Sequence, residues 1–96
     1  MKMVLIAVNI AIEPQVVERL SALGLHSYTE WPRLTGVGET SGPHLDSHVW
    51  PGANAVIAVV APDDKARALM DEIRELRKTL GREGIKAFLL PVEDIT

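Results

Sequence analysis

Four short apolar stretches along this chain predict β-strands, because each is bounded by Gly, Pro or polar residues. Residues 3–10 and 53–61 are apolar almost throughout, and the other two stretches are residues 25–34 and 85–91. Pro32 falls inside one of them and cannot donate a hydrogen bond to a neighbouring strand. We therefore expect strand 25–34 to lie at a sheet edge or to contain a bulge.

Between these strands, apolar residues recur at helical spacing. A first helix is expected to begin at Glu13-Pro14 and to stop at Gly24, because Pro suits the first helical turn and Gly follows the last. A second helix is expected to begin at Pro62. Its apolar stripe consists of Leu69, Ile73, Leu76 and Leu80. The order βαββαβ predicts one α+β, ferredoxin-like domain over residues 1–96, a four-stranded antiparallel sheet with two helices on one face.

The two predicted helices can cover only one face of this sheet, so the other face would meet water in a single chain. A strand with one face in water should alternate apolar and polar residues. Strands 3–10 and 53–61 do not alternate, and strand 85–91 does so only at Lys86. An apolar face of this extent would favour aggregation if it stayed exposed. We therefore expect that face to be buried against other copies of the chain.

The composition excludes several classes of function. With a net charge of −3 and no cluster of Lys or Arg, the chain lacks the basic surface that nucleic acids bind. Without cysteine it has no disulfide, thiolate metal site or cysteine nucleophile. Its apolar residues 3–12 are too few to cross a membrane, and no signal-peptide cleavage pattern follows them. We expect a cytoplasmic protein with no nucleic-acid partner and no membrane insertion.

Residues 35–52 form a long polar connection, and connections of this length are usually functional or disordered. His44, Asp46 and His48 occupy alternate positions, so an extended backbone would place all three on one side. Adjacent members of this set could share a divalent metal, whereas a site with all three needs a turn or ligands from another subunit. The alternative is a solvated polar loop without metal.

Three further sets of residues are functional candidates: Trp50, the pair Ser47 and His48, and His26. Trp50 either stacks on a ligand ring or anchors the connection against a neighbouring subunit. Ser47 and His48 are adjacent and would point to opposite sides of a strand, and no nucleophile elbow is present. We therefore expect a protein that is not an enzyme. His26 is expected on the surface of strand 25–34.

The sequence resembles the P-II nitrogen-regulatory signalling proteins over almost its whole length. The resemblance is strongest at VAPDDK (residues 60–65), at KAFLLPVEDI (residues 86–95), and at Gly36-Val37-Gly38 with Gly42. It implies a ferredoxin-like homotrimer that binds an adenine nucleotide between subunits. The chain differs from the family's pattern in having Glu39-Thr40-Ser41 directly after G-x-G, where the family has basic and amide residues.

This resemblance also implies roles for individual residues. Lys86 matches a phosphate-binding lysine on the last strand, and Gly36 and Gly38 match the glycines at the base of a regulatory loop. The G-x-G by itself is equally compatible with a bulge or turn where a strand ends. We expect a small ligand, an anion or a nucleotide, to bind at the subunit cleft and to signal to a target protein through residues 35–52. The expected ligand-binding residues are Gly36, Gly38, Glu39, Thr40, Trp50 and Lys86.

Two alternatives share the same trimeric architecture. One is a divalent-metal-binding trimer similar to the cation-tolerance proteins, with His44, Asp46 and His48 as its ligands. The other is a non-catalytic trimer that only docks a partner protein. The expected cofactor is therefore either an adenine nucleotide or a divalent metal.

Overall fold

The computed structural model describes residues 1–35, 53–80 and 84–96. Within these ranges, six elements follow one another in the predicted order. They are β1 (Lys2–Asn9), α1 (Glu13–Ala22), β2 (Thr29–Leu34), β3 (Asn54–Ala61), α2 (Asp63–Leu80) and β4 (Ile85–Pro91). Their bounds agree with the sequence pattern to within one or two residues, except at the start of β2.

The segment before β2 is not a strand, although the sequence pattern predicted one from residue 25. Gly24 adopts a left-handed conformation with φ 74°, which suits a residue just after a helix. The Leu25 amide then donates a hydrogen bond back to the Leu20 carbonyl at 2.9 Å. That amide therefore belongs to the helix end and not to the sheet, and strand pairing begins at Thr29. His26 is exposed as predicted, but it precedes the strand.

The four strands form one antiparallel sheet in the order β2-β3-β1-β4. The long strands β1 and β3 lie at its centre and pair over their whole length, from Lys2 with Ala61 to Asn9 with Asn54. This order, with the βαββαβ sequence of elements, is the ferredoxin-like fold. The predicted fold class is confirmed.

Strand β2 lies at an edge of the sheet and is irregular. Trp31 pairs with Val56 and Leu34 pairs with Asn54, so two residues of β2 stand opposite one residue of β3. Pro32 lies within this bulge, where its missing N–H costs no ladder hydrogen bond. Both predicted consequences of Pro32, the edge position and the bulge, are confirmed.

One face of the sheet packs against the two helices. The buried residues of β1 are Val4, Ile6 and Val8, and those of β3 are Ala55, Ile57, Val59 and Ala61. Val16 and Leu20 of α1 and the stripe of α2 complete the core. The α2 stripe is confirmed at Leu69, Ile73 and Leu76, whereas Leu80 is half-buried because it is the last residue of the helix.

Among the described residues, neither helix has the length and apolar character needed to span a membrane.

Ile73 provides the test of this core. Its side chain is 4% exposed on α2, and Ile73→Ala removes buried methyl groups and leaves a cavity. The substitution should lower the free energy of unfolding by about 2–5 kcal/mol, as measured by chemical denaturation. Lys78→Ala on the exposed side of the same helix is the control, with an expected change within about 0.5 kcal/mol. Equal values for the two variants would contradict the packing of α2.

Candidate ligand-binding site

Of the residues predicted to bind a ligand, Lys86 lies within the described structure. The other predicted residues lie outside the described residues and stay predictions: Gly36, Gly38, Glu39, Thr40 and Trp50, and the proposed metal ligands His44, Asp46 and His48. Within the described residues, no group of three His, Cys, Asp or Glu side chains could hold a metal ion. The metal hypothesis therefore rests on the sequence spacing alone.

Both undescribed segments are attached at the same end of the sheet. Residues 36–52 connect β2 to β3, whose ends pair at Leu34 and Asn54. Residues 81–83 precede Gly84, whose carbonyl accepts a hydrogen bond from the Asn9 amide at 2.8 Å. The next amide, that of Ile10, donates to the Ala53 carbonyl at 3.3 Å. The C-terminal end of β1 is thus hydrogen-bonded to Gly84 and to Ala53, the residues that directly follow the two segments.

The side chain of Asn9 also forms a hydrogen bond at this end of β1. It is only 6% exposed, and its Oδ1 accepts a hydrogen bond from the Ala11 amide at 2.9 Å. A buried amide side chain needs such a partner, because an unpaired one would be costly. In the sequence, Asn9 is visible as the polar interruption of an apolar strand, but its role at this end of β1 was not predicted.

Lys86 lies near the same end, on β4. It pairs with Ala7 of β1, while its neighbour Ile85 is buried against the helices. Side chains alternate between the faces of a strand, so Lys86 belongs to the face that the helices leave uncovered. Its side chain is exposed. Because β4 is an edge strand, Lys86 also lines a groove between β4 and α2.

This uncovered face is apolar around Lys86. On β1 it consists of Met3, Leu5 and Ala7, which are half-buried. Phe88, Leu90, Trp31 and Val60 on the other strands are 50%, 39%, 46% and 39% exposed, respectively. The sequence pattern correctly predicted an apolar face that the helices of the chain cannot cover. It did not decide between Val56 and Ile57, and the structure assigns Val56 to the uncovered face and Ile57 to the core.

A shallow pocket opens on this face at the β2 edge. It has a volume of about 360 Å³ and is lined by Ser27, Tyr28, Thr29, Ala58 and Val60. The hydroxyl groups of three of these residues can both donate and accept hydrogen bonds, and the Ala and Val side chains form an apolar wall. Such a lining suits a planar polar ring, whose edge can form hydrogen bonds with the hydroxyl groups and whose flat side can pack against the apolar wall. Sequence analysis missed the pocket, because Ser27 and Tyr28 are only near Ala58 and Val60 once β2 pairs with β3.

The pocket and Lys86 lie at opposite edges of the sheet. Two central strands separate β2 from β4, and adjacent strands are about 4.8 Å apart, so the two features are about 14 Å apart across the sheet. One ligand group therefore cannot contact both features of the same chain at once. Two copies that meet edge to edge could bring them together.

The model of the nitrogen regulatory protein P-II family matches residues 1–96 of the chain. Comparison with curated proteins gave no match. Several solved structures share the fold at low sequence identity. A PII-like signalling protein of Thermus thermophilus is 22% identical, with a TM-score of 0.65 over 92% of this chain and 81% of that one.

Structures of a second protein, CPII of Thiomonas intermedia, were solved with and without ligands. The nitrogen regulatory PII-like protein CPII bound to ADP, AMP and bicarbonate is 16% identical, with a TM-score of 0.74 over 95% of this chain and 88% of that one. The apo form of CPII is also 16% identical, with a TM-score of 0.69 over 92% of this chain and 84% of that one.

Proposed function

Because the chain belongs to the nitrogen regulatory protein P-II family, we propose that it is a non-catalytic regulator that works as a homotrimer. In this proposal it binds a small anionic ligand, an adenine nucleotide, between adjacent subunits. Occupancy of the site is communicated to a target protein through residues 35–52. The observation that carries the proposal is the position of Lys86 on an uncovered apolar face, at the sheet edge opposite the hydroxyl-lined pocket.

The apolar face supports the trimer. Phe88 and Trp31 are about half exposed in a single chain, and large exposed apolar patches mark interaction surfaces. Identical chains that contact one another through two different surfaces form closed rings when the rotation closes. A ring of three sheets with this face inward would bury Met3, Leu5 and Val60 at its centre.

The same ring would complete the ligand site. Each sheet has β2 at one edge and β4 at the other, so the β4 edge of one copy meets the β2 edge of the next. Lys86 would then lie level with Trp31 of the neighbour, and about 7 Å along the strand from Thr29 in its hydroxyl-lined pocket, a distance that a nucleotide can span. Its ammonium would bind phosphate oxygens, while Thr29 and the apolar wall beside it would hold the nucleoside. CPII, a structural neighbour, was solved with ADP and AMP.

The predicted residues outside the described structure complete this proposal. Gly36, Gly38, Glu39 and Thr40 follow β2 directly, at the end of the sheet where Lys86 lies. We assign them to the rim of the subunit cleft. Trp50 comes four residues before β3 in the sequence, and we assign it either to stack on the base or to anchor residues 35–52 against the neighbouring subunit.

The Lys86→Gln substitution tests the phosphate contact. It removes the positive charge and keeps most of the length of the side chain. Because a hydrogen bond to a charged group contributes about 1.5–3 kcal/mol, ADP affinity measured by calorimetry should fall by about tenfold to a hundredfold. Lys78→Gln is the matched control, since Lys78 pairs with Glu75 on the exposed side of α2. Unchanged ADP affinity in Lys86→Gln would remove this residue from the site.

A mixing experiment tests whether two subunits share the site. Thr29→Val alters the pocket at the other edge of the sheet and should also weaken ADP binding. When Lys86→Gln and Thr29→Val chains are mixed and exchange, some interfaces combine the intact Lys86 of one chain with the intact Thr29 of the other. High-affinity sites should therefore reappear in the mixture. If they do not reappear after confirmed exchange, both residues act within one subunit or outside the site.

A further inference from the structure

A second feature lies on the helix side of the β4 edge. A groove of about 160 Å³ runs between α2 and β4. Its apolar lining includes Met70, Ile73 and Ala87, and its cationic lining consists of Arg74, Arg77 and Lys86. Arg74 also pairs with Asp71 at 2.8 Å, where both side chains are exposed. Arg77 makes no ion pair with any residue in the described part of the chain. The groove therefore combines an apolar floor with positive charge, of which that of Arg77 is not balanced by an ion pair within the described residues.

The opposite edge of the sheet has the complementary charge. Glu13 at the start of α1 lies beside Glu30 of β2, and both are half-buried. A hydrogen bond with Glu30, partial burial and the Glu30 charge together raise the pKa of Glu13. The hydrogen bond between the two carboxyl groups requires a proton on one of them. When both are ionised they repel each other, so a cation from outside the chain would stabilise the ionised pair.

The acidic pair and the groove lie at the same height on the sheet. Glu30 pairs with Ile57, Ile57 with Ile6, and Ile6 with Ala87, which lines the groove. This row of paired residues crosses the whole sheet, with the carboxylates at its β2 end and the arginines near its β4 end. If the strands of a closed ring run parallel to its symmetry axis, rotation about that axis leaves each residue at the same position along it. The β2 end of this row in one copy then meets the β4 end of the same row in the next copy.

We propose that the groove receives the β2 edge of the next copy, so that Arg77 and Arg74 pair with Glu30 and Glu13 across the subunit interface. The proposal rests on the homotrimer of the proposed function. It extends the subunit interface of that trimer from the uncovered face to the helix side of the β4 edge. The occupant is a second copy of this chain, because its own opposite edge has the matching charge at the matching height. Apolar contacts of the uncovered face hold the ring together, and the ion pairs select which edges meet.

The test is a charge exchange across the interface. Arg77→Glu and Glu30→Lys are made singly and together, and the dissociation constant of the assembly is measured by sedimentation equilibrium. Each single reversal places like charges opposite each other and should raise the dissociation constant by at least about tenfold. The double variant restores the pair in the opposite sense and should recover to within a few-fold of wild type. Arg67→Glu has the same charge change on α2 outside the groove and should leave assembly unaltered.

These outcomes separate the interface from the proposed function. Circular dichroism first confirms that each variant is folded, as expected for exposed and half-buried positions. If neither single reversal weakens assembly, or if the double variant is no tighter than the singles, the ion-pair interface is refuted. A wild type that still assembles and binds ADP through Lys86 then leaves the proposed function standing. Recovery in the double variant without any ADP binding supports the interface and refutes the ligand.

Discussion

An Ile57→Lys chain should fail to fold. Ile57 is fully buried at the centre of the sheet, between β1 and β2 and under the helices. An unpaired ammonium group at such a position costs several kcal/mol in solvation, and the substitution also loses the packing of the Ile side chain. Total stabilities of small domains are only about 5–15 kcal/mol. Circular dichroism should therefore show loss of the native spectrum, with most of the expressed chain insoluble.

Ile57→Val separates charge from volume at the same position. It removes one methylene group and should cost only about 0.5–1.5 kcal/mol. A folded Ile57→Lys protein with near-native stability would mean that residue 57 has access to water, and the assignment of the two sheet faces would then be wrong.

A Val56→Lys chain should fold but should not assemble. Val56 is the next residue along β3 and points to the uncovered face, between Trp31 of β2 and Ala7 of β1. In a monomer the lysine side chain can reach water, so it costs little. In the proposed trimer its charge would be buried among apolar side chains without a partner. Light scattering should give the mass of one chain where wild type gives three.

Together, Ile57→Lys and Val56→Lys test which face of the sheet packs against the helices and which face forms the subunit interface. Val56→Ile keeps the face apolar and serves as the control, with assembly expected to be unchanged. A Val56→Lys protein that still forms trimers would exclude this face from the subunit interface. A wild-type protein that is monomeric at micromolar concentration would refute the trimer together with the site between subunits.

Most of the fold could be predicted because the apolar pattern is strong where the strands are central. Strand β4 was predicted with its observed bounds. Pro32 predicted that β2 lies at a sheet edge or contains a bulge, and both are observed. Two points needed the structure. The assignment of Val56 and Ile57 to the two faces could not be read from the sequence because both neighbours are apolar. The late start of β2 depends on a hydrogen bond from Leu25 back to α1.

The candidate site was predictable only in part. Lys86 lies on the last strand as predicted, where it is the polar residue in an otherwise apolar strand, and its role in ligand binding stays a prediction. The hydroxyl-lined pocket was missed because its walls come from β2 and β3, which are distant in sequence. The groove and the acidic pair were missed for the same reason, since only strand pairing places Glu30 and Ala87 in one row.

The bulge at Pro32 also bears on how this chain avoids fibres. In the proposed trimer, a newly made subunit would expose its apolar face until it assembles, and an unprotected β2 edge would be a template on which further strands could add. Pro32 offers no N–H to such a strand, and the bulge between Trp31 and Leu34 bends the edge away from a flat ladder. Addition of strands at the β2 edge is thereby disfavoured, whereas association through side chains, which ends when the proposed ring is complete, remains possible at this edge.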